Sequence, residues 1–541
     1  MCSFLVESCA WFLLSFCAVF NLDKGGIVKR RDFITRVAAA GGSTYAVMKA
    51  LDLMGETASA QTGPLNLRPA SDRSRVVILG AGLAGMTAAY ELRKAGYRCT
   101  ILEARSRPGG RCWTVRGGDQ IVETTGTVQT VQFAKGEYFN PGPARIPQHH
   151  ITIQYCRELG VPLQVFANLN YEQYYYNEGV PGGLAGQKVR ARQAKADARG
   201  YVSELLAKAA SQDRLDAQLT EDDKTRLVDF LRTYGGLDPD LFYRGNARRG
   251  YDAARQGASN NPGKINSPFS LSALINLGFA GYESFEQGYD QQMLMFQPIG
   301  GMDRIATTLA KKVGNINYGA AVTEIRKTQN GVRIVYTDQG STKEIRADFC
   351  ICTIPLSVLR TIPSDFSPDM QQAIAGVDYA VTGKSALQFN RRFWEEDENI
   401  MGGITSTNIG LGTIWYPSHN YLSQRGVVVG YYNFGAVAAE FGALSPDARV
   451  QRAIELGSRI HPQYRSHYDT GASLFWPQIP YNLGGWATYT TASRQQFYPR
   501  LNQPDGNIFL CGEHLSYLTG WMAGAFESAR LVAQQINQRN G

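Results

Sequence analysis

A chain of 541 residues is long enough for about three domains, and with 44% apolar and 19% charged residues it has the composition of an ordinary globular protein. Its net charge of +8 is spread along the chain rather than blocked, which argues against nucleic-acid binding. The nine cysteines follow neither a disulfide framework nor metal-ligand spacing, so no metal site is expected.

Near the N-terminus the apolar run Trp11 to Phe20 is too short to span a bilayer, which takes about 20 residues. Lys29-Arg30-Arg31-Asp32-Phe33-Ile34 then precedes a mildly apolar stretch, Val37 to Met54, and Ala58-Ser59-Ala60 offers a small-residue cleavage site. The pattern resembles a twin-arginine export signal, which carries folded, cofactor-loaded proteins across the bacterial inner membrane. It implies cleavage near Ala60, a periplasmic or secreted location and no stable membrane span in the mature protein. Such a signal begins close to its arginines, so residues 1–27 are expected to be an upstream extension with the true start at Val28.

The next stretch, Arg75 to Arg111, organises the chain. Val76-Val77-Ile78-Leu79 reads as a buried strand. Gly80-Ala81-Gly82-Leu83-Ala84-Gly85 follows, then a helical pattern to Lys94 stopped by Gly96, and a second apolar run ending at Glu103. In this βαβ start Gly80 permits a tight turn, Gly82 lets a pyrophosphate approach the backbone and Gly85 lets helix pack on strand. Leu83 and Ala84 open the helix, whose free N–H groups and dipole suit a phosphate. Glu103 falls 18 residues after Gly85, near the roughly 20-residue offset of a ribose-binding acid. A dinucleotide site is expected.

Ala104-Arg105-Ser106-Arg107-Pro108-Gly109-Gly110-Arg111 resembles the E-x-R-x-R-x-G-G-R segment of the flavin amine oxidase and L-amino acid oxidase superfamily. The resemblance implies FAD, with Ala104, Arg105, Gly110 and Arg111 beside its diphosphate. Thr114 to Thr130 reads as a crossing segment. In Pro143-Ala144-Arg145-Ile146-Pro147 the two prolines stiffen the backbone around the arginine. This segment is similar to G-[AP]-M-R-[IL]-P of L-amino acid oxidases, with Ala144 replacing Met. There Ala144 and Arg145 border the cofactor and the arginine forks the substrate carboxylate. A structural ion pair is the alternative for Arg145. His149 and His150 are site neighbours or solvated loop residues.

Tyr155 to Leu163 reads as helix and turn, and Tyr171 to Tyr176 as a strand. From Gln187 to about Gly281 helical periodicity dominates, with Val202-Leu205-Leu206 and Leu227-Phe230-Leu231 at i, i+3, i+4. This stretch resembles the helical insertion that funnels substrate in amino acid oxidases. Glu283 and Glu286 near its end are either surface acids or ligands for a cationic side chain. Gln297 to Arg304 looks like the return to the FAD domain, after which the family places Val322 against the adenine.

Thr382-Gly383-Lys384-Ser385-Ala386 is similar to the family segment whose lysine holds a water at the flavin edge, which assigns Lys384 to catalysis. Thr413 to Asn420 resembles I-Y-Y-P-N-H-N of eukaryotic L-amino acid oxidases. Trp415 and Tyr416 point to opposite faces of a strand, so only one reaches the substrate. Tyr416 is chosen, since a phenol donates a hydrogen bond without adding charge. Trp486 stands where animal monoamine oxidases carry a cysteine linked to FAD, which implies non-covalent flavin and a place for Trp486 in the side-chain pocket. Trp476 is a flavin neighbour or core. Finally, Gly512-Glu513 and Gly520-Trp521-Met522 match the C-terminal motif. Glu513 is implied at the ribityl chain or diphosphate, Met522 at the helix start under the pyrimidine, Trp521 as a cage wall and the Gly520 carbonyl as acceptor of the amine N–H.

The expected fold is α/β: a discontinuous FAD-binding Rossmann-like (GR2-type) domain, a mixed-sheet substrate domain and a helical insertion. The boundaries are residues 1–60 for the extension and signal; 74–127, 290–372 and 490–541 for FAD; 128–184 and 373–489 for substrate; and 185–289 for the insertion. The activity implied is oxidation of L-amino acids by oxygen to 2-oxo acid, ammonia and hydrogen peroxide, in a homodimer. A primary-amine or polyamine oxidase, a decarboxylating L-amino acid monooxygenase and an FAD-binding module without turnover are the alternatives.

Overall fold

The computed structural model describes residues 63–540, apart from 71–73, 216–218, 255–256 and 259. The expected extension and export signal, with the cleavage point near Ala60, lie outside the described residues. The chain divides into Met1–Pro64 and Leu65–Gly541, and the sheets and helices described lie in the second unit.

Arg75–Leu79 is the central strand of a five-stranded parallel sheet. In space the order runs Ile316–Tyr318, Arg98–Glu103, Arg75–Leu79, Phe349–Cys352, Ile508–Leu510. In chain order this is 3-2-1-4-5, the doubly wound arrangement. Its strands are almost continuously apolar because both faces are covered. Val76 and Ile78 pack with Met86, Leu92, Phe526 and Val532 of the helices Leu83–Lys94 and Met522–Arg539. Val77 and Leu79 turn the other way, onto Ile325 and Ile334 of an antiparallel meander formed by Ala321–Thr328, Gly331–Asp338 and Ser341–Ala347. Three layers result, and the C-terminal ends of the parallel strands are left to build a site.

Opposite those ends stands a seven-stranded sheet. Its spatial order is Tyr468–Phe475, Thr382–Phe389, Gly426–Phe434, Thr413–Trp415, Ile404–Thr407, Tyr174–Tyr176, Val189–Arg190. It is mixed, because Ile404–Thr407 and Tyr174–Tyr176 pair in parallel while its other neighbours are antiparallel.

The helical stretch holds Ala191–Ser211 and Glu221–Gly235, the latter opened by a Thr220/Asp223 capping box and ended at Gly236, φ 70°. Its apolar face differs from the one that periodicity suggests. Val202 and Leu205 are exposed, while Ala194, Gly200, Ser203, Ala207 and Ala210 face inward. The inward positions are small because the packing is close: a Cβ on Gly200 would stand 2.2 Å from the Tyr243 ring. Asp197 and Arg249 form a fully buried ion pair beneath. Glu283 and Glu286 both pair with Lys195, so neither is free for a substrate cation.

Candidate active site

A cavity of about 570 Å³ opens between the strand ends of the parallel sheet and the inner face of the seven-stranded sheet. Its floor is the turn after Arg75–Leu79. Gly80 has φ +106°, a conformation that side chains disfavour, and a Cβ there would strike the Thr353 hydroxyl at 2.5 Å. Gly82, Leu83 and Ala84 line the cavity, and nothing stands within 4 Å of where a Gly82 Cβ would be. The helix Leu83–Lys94 has neither a side-chain cap nor an acid in its first turn, so its N-terminal N–H groups face an open space suited to phosphate. Gly85 does not reach the wall. A Cβ on it would lie 2.2 Å from the Gly80 carbonyl oxygen, so its role is to let helix meet strand rather than to touch a ligand.

Glu103 ends its strand with the carboxylate held by backbone: Ala81 N–H donates at 2.7 Å and Arg105 N–H at 3.0 Å. Ala104, Arg105, Gly110, Arg111 and Val322 also line the cavity. Arg105 donates to Pro480 and Asn482, and Arg111 donates at 2.7 Å to Glu513 Oε1. Burial, the largest influence, pulls the Arg111 guanidinium toward the neutral form, but the Glu513 charge, the Tyr379 phenol and the Glu513 hydrogen bond together outweigh it and raise its pKa. Glu513 also accepts from Gly520 N–H at 3.2 Å. Gly512 and Met522 line this end, where a second helix, Met522–Arg539, presents an N-terminus with no side-chain cap and no acid in its first turn. Two uncapped helix starts, a loop with three arginines and a Gly pair, and the acid that ends the second strand all border one cavity, a set of groups that suits a dinucleotide.

The opposite end is aromatic. Arg145 is buried, with its guanidinium 4.4 Å from the Trp415 ring centroid and 5.9 Å from that of Trp521. Its Nη2 donates to Gln291 Oε1 at 3.1 Å, while Nε and Nη1 have no partner. Desolvation lowers its pKa to about 10. No ion pair involves it among the described residues, so the structural salt-bridge alternative does not hold. Lys384, also buried, donates at 2.6 Å to the Gly142 carbonyl and lies 4.4 Å from the Tyr432 ring centroid. Burial, and then the neighbouring Arg145 charge, lower its pKa to about 7. Ala144, Trp486, Gly520 and Trp521 line this end. Trp476 does so too while belonging to a core cluster, and its Nε1 donates to the Pro141 carbonyl at 3.2 Å.

Tyr416 is a correction. It is 1% exposed and points away from the cavity, its hydroxyl 2.9 Å from Thr405 Oγ1 and 2.6 Å from His461 Nε2. Strand alternation sends Trp415 to the cavity instead, paired opposite Ile404 and Val429. The Trp415 indole N–H is already given to Thr413 Oγ1 at 2.8 Å, so its ring face is what Arg145 meets. The phenol at this end is Tyr432, which lines the cavity one strand over. Period two along Gly426–Phe434 places Tyr432 and Phe434 on one face, a signal present in the sequence but unused. Gln291 had no such signal.

Residues 83–537 match the family of flavin containing amine oxidoreductases. The chain belongs to that family. As a member it is a flavoprotein oxidoreductase acting on CH–NH2 donors, with FAD as cofactor. A putative L-amino-acid oxidase of Bacillus subtilis, YobN, is 27% identical over 488 residues, 86% of this chain and 94% of that protein. The L-amino-acid oxidase of Vipera ammodytes ammodytes is 26% identical over 496 residues, covering 87% and 94%. Among solved structures, cyclohexylamine oxidase from Brevibacterium oxydans superposes with a TM-score of 0.58 at 16% identity, over 86% of this chain and 99% of that one. Putrescine oxidase bound to putrescine gives 0.56 at 19% identity, over 86% and 98%. Among the described residues no helix is long and apolar enough to cross a membrane.

Proposed function

We propose that the chain is an L-amino acid oxidase, converting L-amino acids and oxygen to 2-oxo acids, ammonia and hydrogen peroxide. One observation carries this reading: Arg145 is buried at the aromatic end of the cavity with Nε and Nη1 unpartnered. A buried guanidinium with free N–H groups is costly unless an anion completes it, and a carboxylate matches its fork. Simple amines supply no such anion. Diamines would need a carboxylate for their second cation, yet the acids lining the cavity among the described residues are Glu103 and Glu513, both engaged with the cofactor end. The relatives named L-amino-acid oxidase point the same way.

Bound FAD supplies the acceptor for the two electrons and, with oxygen, the route to peroxide. The chain's own residues then bind and orient. Arg145 forks the carboxylate, and the Tyr432 hydroxyl, which burial keeps protonated, donates beside it. The Gly520 carbonyl accepts from the amine N–H, and Trp521 and Trp486 wall the amine and side chain while excluding water. Lys384, buried in the same cavity and close enough to feel the Arg145 charge, supports charge developing at the reacting edge when protonated. At the far end Gly82, Leu83, Ala84, Glu103, Ala104, Arg105, Gly110, Arg111, Val322, Gly512, Glu513 and Met522 hold the cofactor. The imino acid product hydrolyses in water.

Trp486, in place of a linking cysteine, supports a non-covalent flavin. The Arg30-Arg31 motif supports export to the periplasm or beyond, and homodimeric assembly is proposed with it. Peroxide release measured over the twenty L-amino acids, tyramine and putrescine tests the function. Turnover confined to amines would refute it.

A further inference from the structure

We propose that His149, His150 and Asp290 form a site for a zinc-class divalent cation, which fastens the segment carrying Gln291 to the loop carrying Arg145. The site does not depend on what Arg145 binds. His149 and His150 follow the Arg145-Ile146-Pro147 turn, and Asp290 comes from beyond the helical stretch. The Nε2 atoms of both histidines converge on Asp290 Oδ1, at 3.0 Å and 2.8 Å. One ligand atom from each residue lies within 4.8 Å of the other two. The edge of a tetrahedral zinc site is about 3.3 Å for bonds of about 2.0–2.1 Å, so a small spreading of these atoms makes room for a cation.

The donor set is chemically selective. Two imidazoles and a carboxylate suit zinc, copper or nickel, while magnesium and calcium prefer all-oxygen ligands. The rings meet edge to face, centroids 4.8 Å apart at 86°, so their nitrogens approach from different directions. The side chains of His149 and Asp290 are each 28% exposed while that of His150 is 3% exposed. A cation can therefore enter from solvent and keep a water as a further ligand. Among the described residues no lysine or arginine pairs with Asp290, so its charge is available.

Without metal, both rings share one carboxylate oxygen, and His149 Nδ1 accepts from Gln292 Nε2 at 3.2 Å. On binding, each imidazole proton moves to Nδ1 and the Nε2 lone pair goes to the metal, with no net change in protons. His149 Nδ1–H then turns from Gln292 Nε2 to solvent, the bond it gives up being exposed, while Gln292 Oε1 keeps the Gln148 N–H.

The consequence is mechanical. Three consecutive side chains grip the 145–150 loop: Asp290 holds the histidines, Gln291 accepts from Arg145, and Gln292 Oε1 accepts from Gln148 N–H at 2.9 Å. His150 also stands edge-on to Trp521, centroids 5.1 Å apart. A metal bond at the first of these contacts stiffens the other two.

The test uses the full-length, FAD-loaded protein, stripped with chelator and titrated with zinc chloride. Wild type should bind one zinc per chain more than His149→Ala, or bind that zinc at least tenfold more tightly. Asp290→Asn should behave like His149→Ala, and His467→Ala, which removes a half-buried histidine elsewhere, like wild type. The difference is the readout, because Cys2, Cys9 and Cys17 add thiols of their own. Zinc should also slow amide hydrogen exchange over residues 287–293 in wild type and leave it unchanged in His149→Ala. Equal zinc uptake by wild type and both site variants would overturn the site. Uptake without slower exchange would overturn the fastening.

Discussion

Replacing Arg145 by methionine removes the charge while keeping an unbranched apolar stem against Trp415. Two guanidinium nitrogens, Nε and Nη1, have no partner, and a carboxylate that takes two of the guanidinium N–H groups gains two charge-assisted hydrogen bonds of about 1.5–3 kcal/mol each. Their sum, about 3–6 kcal/mol, corresponds to a loss in kcat/KM of about 10² to 10⁴, at about 1.4 kcal/mol per tenfold. The fold should not suffer. The guanidinium has one protein hydrogen bond and a burial penalty large enough to lower its pKa to about 10, so the substrate-free variant should melt no lower than wild type. Peroxide release coupled to a peroxidase measures the kinetics, and the visible flavin spectrum confirms that FAD is retained. A variant that keeps its flavin and stays within tenfold of wild type on amino acids would refute the reasoning.

Tyr432→Phe should raise KM for amino acids about tenfold with little change in melting temperature. Tyr416→Phe should do the reverse, lowering stability by about 1–3 kcal/mol through its lost core hydrogen bonds and leaving KM alone; steady-state kinetics and thermal melts on both variants separate the two tyrosines. Lys384 is held near pKa 7 in the folded chain against an ordinary 10.5. Between those values the unfolded chain binds a proton that the folded chain does not, so stability relative to Lys384→Met should rise with pH from 7 to 10 and be flat below 7. Denaturant titrations across that range check the slope. Glu513→Gln leaves the Arg111 cation buried beside a neutral amide and should release FAD on gel filtration, whereas Gln372→Ala, on a surface helix, should keep it.

How much was legible in the sequence follows from what each signal depends on. The nucleotide end was readable because its chemistry is backbone chemistry: Gly80, Gly82 and Glu103 sit within one βαβ unit, and local spacing sets their geometry. The Rossmann-like domain as a whole was implied by the family resemblance instead, because three of its five parallel strands, Ile316–Tyr318, Phe349–Cys352 and Ile508–Leu510, lie far along the chain from that unit. Tyr416 was misplaced because alternation says that Trp415 and Tyr416 face opposite ways but not which way is inward. That depends on the neighbouring strand Gly426–Phe434, through the Trp415–Val429 pair. Gln291 was invisible because its meaning lies 146 positions away, at Arg145. The helix Ala191–Ser211 shows a third limit, for its interior is set by close approach, which favours alanine and glycine over the larger residues that periodicity selects.

The most direct measurement is anaerobic reduction of the bound flavin by L-phenylalanine and by phenethylamine, the same molecule without its carboxylate. Rapid bleaching by the amino acid, with the amine slower by a factor of about 10² or more and Arg145→Met abolishing the difference, is the predicted result. Equal bleaching by both in the wild-type enzyme would contradict it.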